Sequence, residues 1–90
     1  MILKEEIFEK TKVRILLMKD VSGASIDIAC PLSTLGFDSL DYIELQIFAQ
    51  EEYSVKIPDS FFTLTRNVTV GDVVEYIYET NSLLTNKETL

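Results

Sequence analysis

Histidine and tryptophan do not occur in this 90-residue sequence, and cysteine occurs once, as Cys30. Without histidine, Ser-His-Asp and Cys-His catalysis are excluded, as is every zinc site that needs an imidazole. A single cysteine excludes an internal disulfide, a CxxC redox pair and an iron–sulfur cluster. No apolar run reaches the roughly 18 residues that a bilayer-crossing helix needs. Bases are scarce: 8 Lys and Arg stand against 15 Asp and Glu, a net charge of −7. That balance argues against nucleic-acid phosphates and anionic membrane surfaces, and for partners with basic patches. In the opening MILKEEIFEK, acids interrupt what would be the apolar core of a signal peptide. Together with a lone, reduced cysteine, this makes the cytoplasm the expected compartment.

What is present is globular: 47% of residues are hydrophobic and 26% charged. The length suits one small domain. Charge is uneven, at +2 over residues 1–19, −7 over 20–64 and −2 over 65–90. The middle of the chain is where an electropositive partner would land. Residues 2–19 lack Gly and Pro and read as a first helix, with Ile7, Thr11, Ile15 and Met18 on one side and Leu3 and Phe8 near it. Residues 21–36 read as a long loop pinned by Ile26, Ile28, Leu32 and Leu35. A second helix starts near Asp38 or Ser39, both good capping residues, and runs to about Tyr53. Asp59 is placed to cap a short helix through Phe61, Phe62 and Leu64. Thr69 and Asp72 resemble a capping box for a last helix, whose core stripe is Val70, Val73, Val74 and Ile77. The expected fold is all-α: a small bundle of three main helices, one short helix and a long loop between the first two. The domain covers residues 1–80, with 81–90 as a frayed tail.

The second helix carries two apolar stripes. Tyr42, Leu45, Ala49 and Tyr53 share one side and should face the core. Leu40, Ile43 and Ile47 share roughly the opposite side, bordered by Glu44 and Glu51. Five acids and no base lie between Asp38 and Glu52, so their mutual repulsion should cost stability at low salt. An exposed aliphatic stripe edged by carboxylates suits a docking surface for a basic partner. Wrapping of the helix on both sides, or self-association, would produce the same pattern. Phe48 falls between the stripes.

Residues 35–45 read LGFDSLDYIEL. This resembles the LGxDSLxxxEL signature of acyl carrier proteins. The resemblance continues through Glu51-Glu52-Tyr53, Ile57-Pro58-Asp59, Thr69-Val70 and Tyr76-Ile77, and so covers roughly residues 31 to 78. It implies the acyl-carrier bundle. It implies that Ser39 carries 4′-phosphopantetheine, transferred from coenzyme A by a phosphopantetheinyl transferase. Asp38 and Asp41 would lie beside the site, where such acids meet the transferase and its metal ion. Leu40, Asp41, Ile43, Glu44, Ile47 and Glu51 would dock acyl-transferring, condensing or ligase enzymes with basic patches. The implied protein is a monomeric carrier with no catalytic residue and no metal site of its own. Its thiol would hold acyl groups as thioesters for fatty acid, polyketide or related biosynthesis.

Some residues depart from that pattern. Gln46 stands where many carriers have an apolar residue; it could cap a polar cargo or be an exposed polar residue. Phe37 precedes the Asp-Ser pair, and PLSTLGFDSL looks closer to carriers of polyketide-type pathways. Cys30 has no neighbouring base or cation in sequence and reads as a buried or half-buried loop cysteine. Two other readings stay open: an aminoacyl or peptidyl carrier, and a helical adaptor that carries nothing and has Ser39 as a plain helix cap.

Overall fold

The computed structural model describes residues 3–65 and 67–88. Among them the chain forms four helices: α1 (Lys4–Met18), α2 (Ser39–Tyr53), α3 (Asp59–Leu64) and α4 (Val70–Glu88). The only β-type pairing among the described residues is an isolated bridge between Pro31 and Thr69. The all-α bundle is therefore as expected. No helix is long and apolar enough to cross a membrane among the described residues.

Helix α1 buries the face that its periodicity marks: Ile7, Thr11 and Ile15 are fully enclosed. The Thr11 hydroxyl is satisfied inside the helix, donating to the Ile7 carbonyl at 2.7 Å. Met18 and Phe8 are half-buried, while Leu3 is exposed. Residue 2 of the expected helix lies outside the described residues.

The 21–36 segment holds two 3₁₀ turns, Gly23–Ser25 and Leu32–Leu35. Ile26, Leu32 and Leu35 point into the core as expected. Ile28 does not: it is 63% exposed. The reason is a backbone seam between this segment and the start of α4. Leu32 N–H donates to Val68 O at 2.8 Å, Val70 N–H to Cys30 O at 2.9 Å, and Gly71 N–H to Ile28 O at 2.9 Å. Gly71 makes this approach possible, since a Cβ there would lie 2.7 Å from the Ile28 carbonyl oxygen and closer still to Ile28 Cγ2. Ile28 thus gives its carbonyl to α4 and keeps its side chain outside.

Helix α2 buries Leu45, Ala49 and Tyr53 with Tyr42 half-buried, and it buries Phe48 as well. Phe48 is closed in by an edge-on contact with Tyr53 at 5.9 Å and by the Arg14 guanidinium 5.4 Å from its ring centre. Helix α4 opens with the reciprocal cap read from sequence: Asp72 N–H donates to Thr69 Oγ1 and Thr69 N–H to Asp72 Oδ2, both at 3.0 Å. Its Val70, Val73, Val74 and Ile77 are buried as a stripe. The helix then continues to Glu88, through residues that show no helical pattern in sequence. Residues 89–90 of the expected tail lie outside the described residues. α1 packs against both α4 and α2, and α2 also meets α4. Each fully buried Ile, Leu or Phe in that interior contributes about 1.5–3 kcal/mol.

The short helix departs in one detail. Pro58, not Asp59, occupies the capping position of α3, and no side chain caps it. Asp59 is the first helical residue, and its carboxylate bonds to Gln46 at 2.7 Å instead.

Candidate functional site

The candidate site is the start of α2. Gly36 ends the second 3₁₀ turn with φ 78°, a left-handed conformation that suits glycine. Two residues later the chain enters α2 through Asp38, which is extended. Asp38 is the cap. Asp41 N–H donates to Asp38 Oδ1 at 3.1 Å, and Asp38 N–H donates back to Asp41 Oδ2 at 3.0 Å. Of the two capping candidates in the sequence, the aspartate takes the role.

Ser39 is therefore released from capping. It is the first helical residue and exposed. Among the described residues its hydroxyl has no hydrogen-bond partner. The first intrahelical bond is Tyr42 N–H to Asp38 O at 3.2 Å, so the N–H groups of Ser39 and Leu40 remain at the positive end of the helix. A phosphodiester on this hydroxyl would gain from that end. No group of His, Cys, Asp and Glu side chains suited to a metal occurs among the described residues. An exposed, uncommitted alcohol on a rigid helix end fits a phosphopantetheine attachment point.

The acids near Ser39 are less free than their sequence suggests. Lys19 Nζ bonds Asp41 Oδ2 at 2.9 Å, and only 22% and 15% of the two side chains is exposed. The Lys19 hydrogen bond, followed by the Asp38 N–H, holds the Asp41 carboxyl below the usual aspartate range. The same bond to Asp41 raises Lys19. Arg14 pairs with Glu44 at 3.0 Å, and Lys10 with Glu52 at 3.3 Å. The basic residues of α1 thus lie along the acids of α2. Two expected docking acids, Asp41 and Glu44, are engaged within the molecule. The expected repulsion is correspondingly offset by cations from α1 and by Lys19 just beyond it. These partners are 22 to 42 residues apart, beyond the reach of local patterns. The net-positive first 19 residues were the one available signal.

The outer stripe is where the sequence places it: Leu40, Ile43 and Ile47 are 74%, 47% and 43% exposed. Glu51 is exposed on the same side, with no ion pair among the described residues. An open groove of about 520 Å³ runs beside the stripe, lined by Ile43, Ile47, Glu51, Lys56 and Ile57 among others.

Gln46 is not the exposed polar residue that the sequence allows. It is half-buried, and its Nε2 donates to Ile57 O at 2.9 Å as well as to Asp59 Oδ1. Phe37 begins a run of half-buried rings: Phe37–Tyr42 at 5.4 Å, Tyr42–Phe62 at 4.9 Å, Phe62–Phe61 at 5.3 Å and Phe61–Tyr76 at 4.8 Å. This run joins the approach to Ser39 with α3 and α4. Cys30 is half-buried, with Sγ 3.5 Å from Thr34 Oγ1.

A family model described as "Phosphopantetheine attachment site" matches residues 16–77. The acyl carrier protein of Thermotoga maritima is 37% identical over 75 residues, covering 82% of this chain and 90% of that protein. That of Helicobacter acinonychis is 36% identical over 78 residues, covering 86% and 96%. That of Wolinella succinogenes is 49% identical over 47 residues, covering 52% and 58%. No solved structure matches significantly. The chain belongs to the phosphopantetheine-binding family of acyl carrier proteins and holds 4′-phosphopantetheine as a covalent prosthetic group.

Proposed function

We propose that Ser39 bears the phosphopantetheine and that the chain presents acyl thioesters to enzymes docking on the outer stripe of α2. The observation that carries this reading is the division of labour at the start of the helix: Asp38 makes the cap and leaves the neighbouring hydroxyl exposed, with no bond among the described residues. When bound, the prosthetic group supplies a thiol that holds an acyl group as a thioester. The chain's own part is to hold Ser39 on a rigid helix end, place the positive helix terminus beside the phosphate, and offer Leu40, Ile43 and Ile47 as an apolar contact. Glu51 and the residual negative charge attract basic surfaces. Asp38 lies next to the acceptor, where the transferase and its cation approach. The chain has no catalytic role in this scheme and works in the cytoplasm as a monomer.

The cargo is an acyl group of fatty acid, polyketide or related biosynthesis. Phe37 and the PLSTLGFDSL run favour a dedicated pathway over the housekeeping one. Peptide mapping tests the attachment site. After loading from coenzyme A, the modification should sit on the peptide that contains Ser39. Modification of Ser33 or Ser54 instead would overturn the assignment. Offering the loaded protein to acyl-loading and to adenylating enzymes tests the cargo; exclusive aminoacyl loading would overturn the acyl reading.

A further inference from the structure

We propose that Lys19 is a positioning residue for the acceptor serine: by clamping Asp41 it fixes the reciprocal cap that sets the first turn of α2. This rests on Ser39 being the acceptor. Lys19 lies immediately beyond α1, and its own N–H donates to the carbonyl of the fully buried Ile15 at 2.9 Å. Its ammonium is therefore delivered from a fixed backbone. It lands on Asp41 Oδ2, the same oxygen that accepts from Asp38 N–H at 3.0 Å. Its stem passes the turn that leads into Ser39, since a Cβ on Gly36 would lie 3.9 Å from Lys19 Cε. One side chain thus runs past the turn before Ser39 and bonds the residue two positions after it.

The pair differs from the two α1–α2 bridges, Lys10–Glu52 and Arg14–Glu44. It is the least exposed of the three among the described residues, and it alone is part of the helix cap. Without Lys19, the Asp41 carboxylate would face that of Asp38 with no cation between them. The cap would loosen, and the Ser39 hydroxyl would lose its fixed position. Group transfer is sensitive to such misplacement, where a shift of about 1 Å costs up to ~100-fold. Lys10–Glu52 joins α1 to α2 far from Ser39 and serves as the control.

The experiment follows phosphopantetheine transfer from coenzyme A, with magnesium and a broad-specificity transferase, by intact mass on the full chain. Thermal melts establish that each variant is folded. Lys19→Met should lower kcat about tenfold while KM for the carrier changes less than about threefold. The loss should persist at high salt, because a partly buried contact is weakly screened. Lys19→Arg should recover most of the rate, and Lys10→Met should behave as wild type. Asp41→Asn keeps an acceptor for Asp38 N–H but removes the charge; it should show part of the loss, with no further loss when Lys19→Met is added. If Lys19→Met does not fold, Asp41→Asn and Lys19→Arg still carry the test. A wild-type kcat in Lys19→Met and Asp41→Asn would overturn the proposal, as would an equal loss in Lys10→Met. A loss confined to KM that vanishes at high salt would also overturn it, assigning Lys19 to docking. No transfer to wild type would instead overturn the Ser39 reading beneath it.

Discussion

Gln46 Nε2 donates to Asp59 Oδ1 at 2.7 Å, so a single side chain of α2 holds the first residue of α3. A second bond to Ile57 O at 2.9 Å fixes the connecting segment. α3 has only six residues and needs such support, because isolated short helices are unstable in water. Gln46→Ala should cost about 1–2 kcal/mol, with a lower urea midpoint and an unchanged slope. A double-mutant cycle with Asp59→Ala should show coupling of about 0.5–1.5 kcal/mol. Additive losses would mean that the two side chains act independently.

Gly71 tests the seam between the long loop and α4. Alanine is the better helix former by about 1 kcal/mol, which alone favours Gly71→Ala. A Cβ, however, would lie 2.7 Å from the Ile28 carbonyl oxygen, which is backbone and cannot swing aside. The clash should win by about 1–2 kcal/mol. The melting temperature should fall by about 4–8 °C for each kcal/mol lost. A higher melting temperature would show that the seam yields freely.

The Lys19–Asp41 bridge gives stability a defined pH dependence. Asp41 is depressed in the folded state, so its contribution is present above the unfolded value of about 3.9 and lost as pH falls through the folded value. Lys19 is raised, so its contribution is present below about 10.4 and lost as pH rises through its folded value. The stability gap between wild type and Lys19→Met should be widest near neutral pH and close at both extremes. Urea midpoints measured across that range check this. A gap that does not change with pH would contradict the bridge.

The fold was legible where one helix face decides it. Val70, Val73, Val74 and Ile77 have one periodicity and one neighbour set, so their burial follows from spacing. The outer stripe of α2 was legible for the same reason. Phe48 was not, because Arg14 of α1 helps close it in. Ile28 looked like a core residue by composition, but its carbonyl is committed to Gly71, and that leaves the side chain outside. At the start of α2, the motif singled out Ser39, and the structure shows that residue exposed in the first turn. The choice between Asp38 and Ser39 as cap needed the geometry, since both residue types cap well. The pairing of Asp41 with Lys19 and of Glu44 with Arg14 was invisible to local patterns because it joins distant parts of the chain. The extension of α4 past residue 80 likewise has no periodic signal.

The two stripes of α2 should separate stability from function. Ile47 is 43% exposed and Leu45 fully buried, two positions apart. Ile47→Ala should change stability by less than about 0.5 kcal/mol. It should still slow acyl hand-off to a partner enzyme by about fivefold or more, through loss of an apolar contact. Leu45→Ala should cost about 2–5 kcal/mol. Parallel denaturation and acyl-transfer assays check both. An Ile47→Ala protein that transfers normally would remove that residue from the docking surface.

Intact mass after incubation with coenzyme A, magnesium and a phosphopantetheinyl transferase tests the central claim most directly. Wild type should gain the mass of one phosphopantetheine. Ser39→Ala should gain nothing while melting close to wild type, since Asp38 makes the cap and the serine hydroxyl has no partner among the described residues. A folded Ser39→Ala protein that still gains the group would contradict the assignment of Ser39.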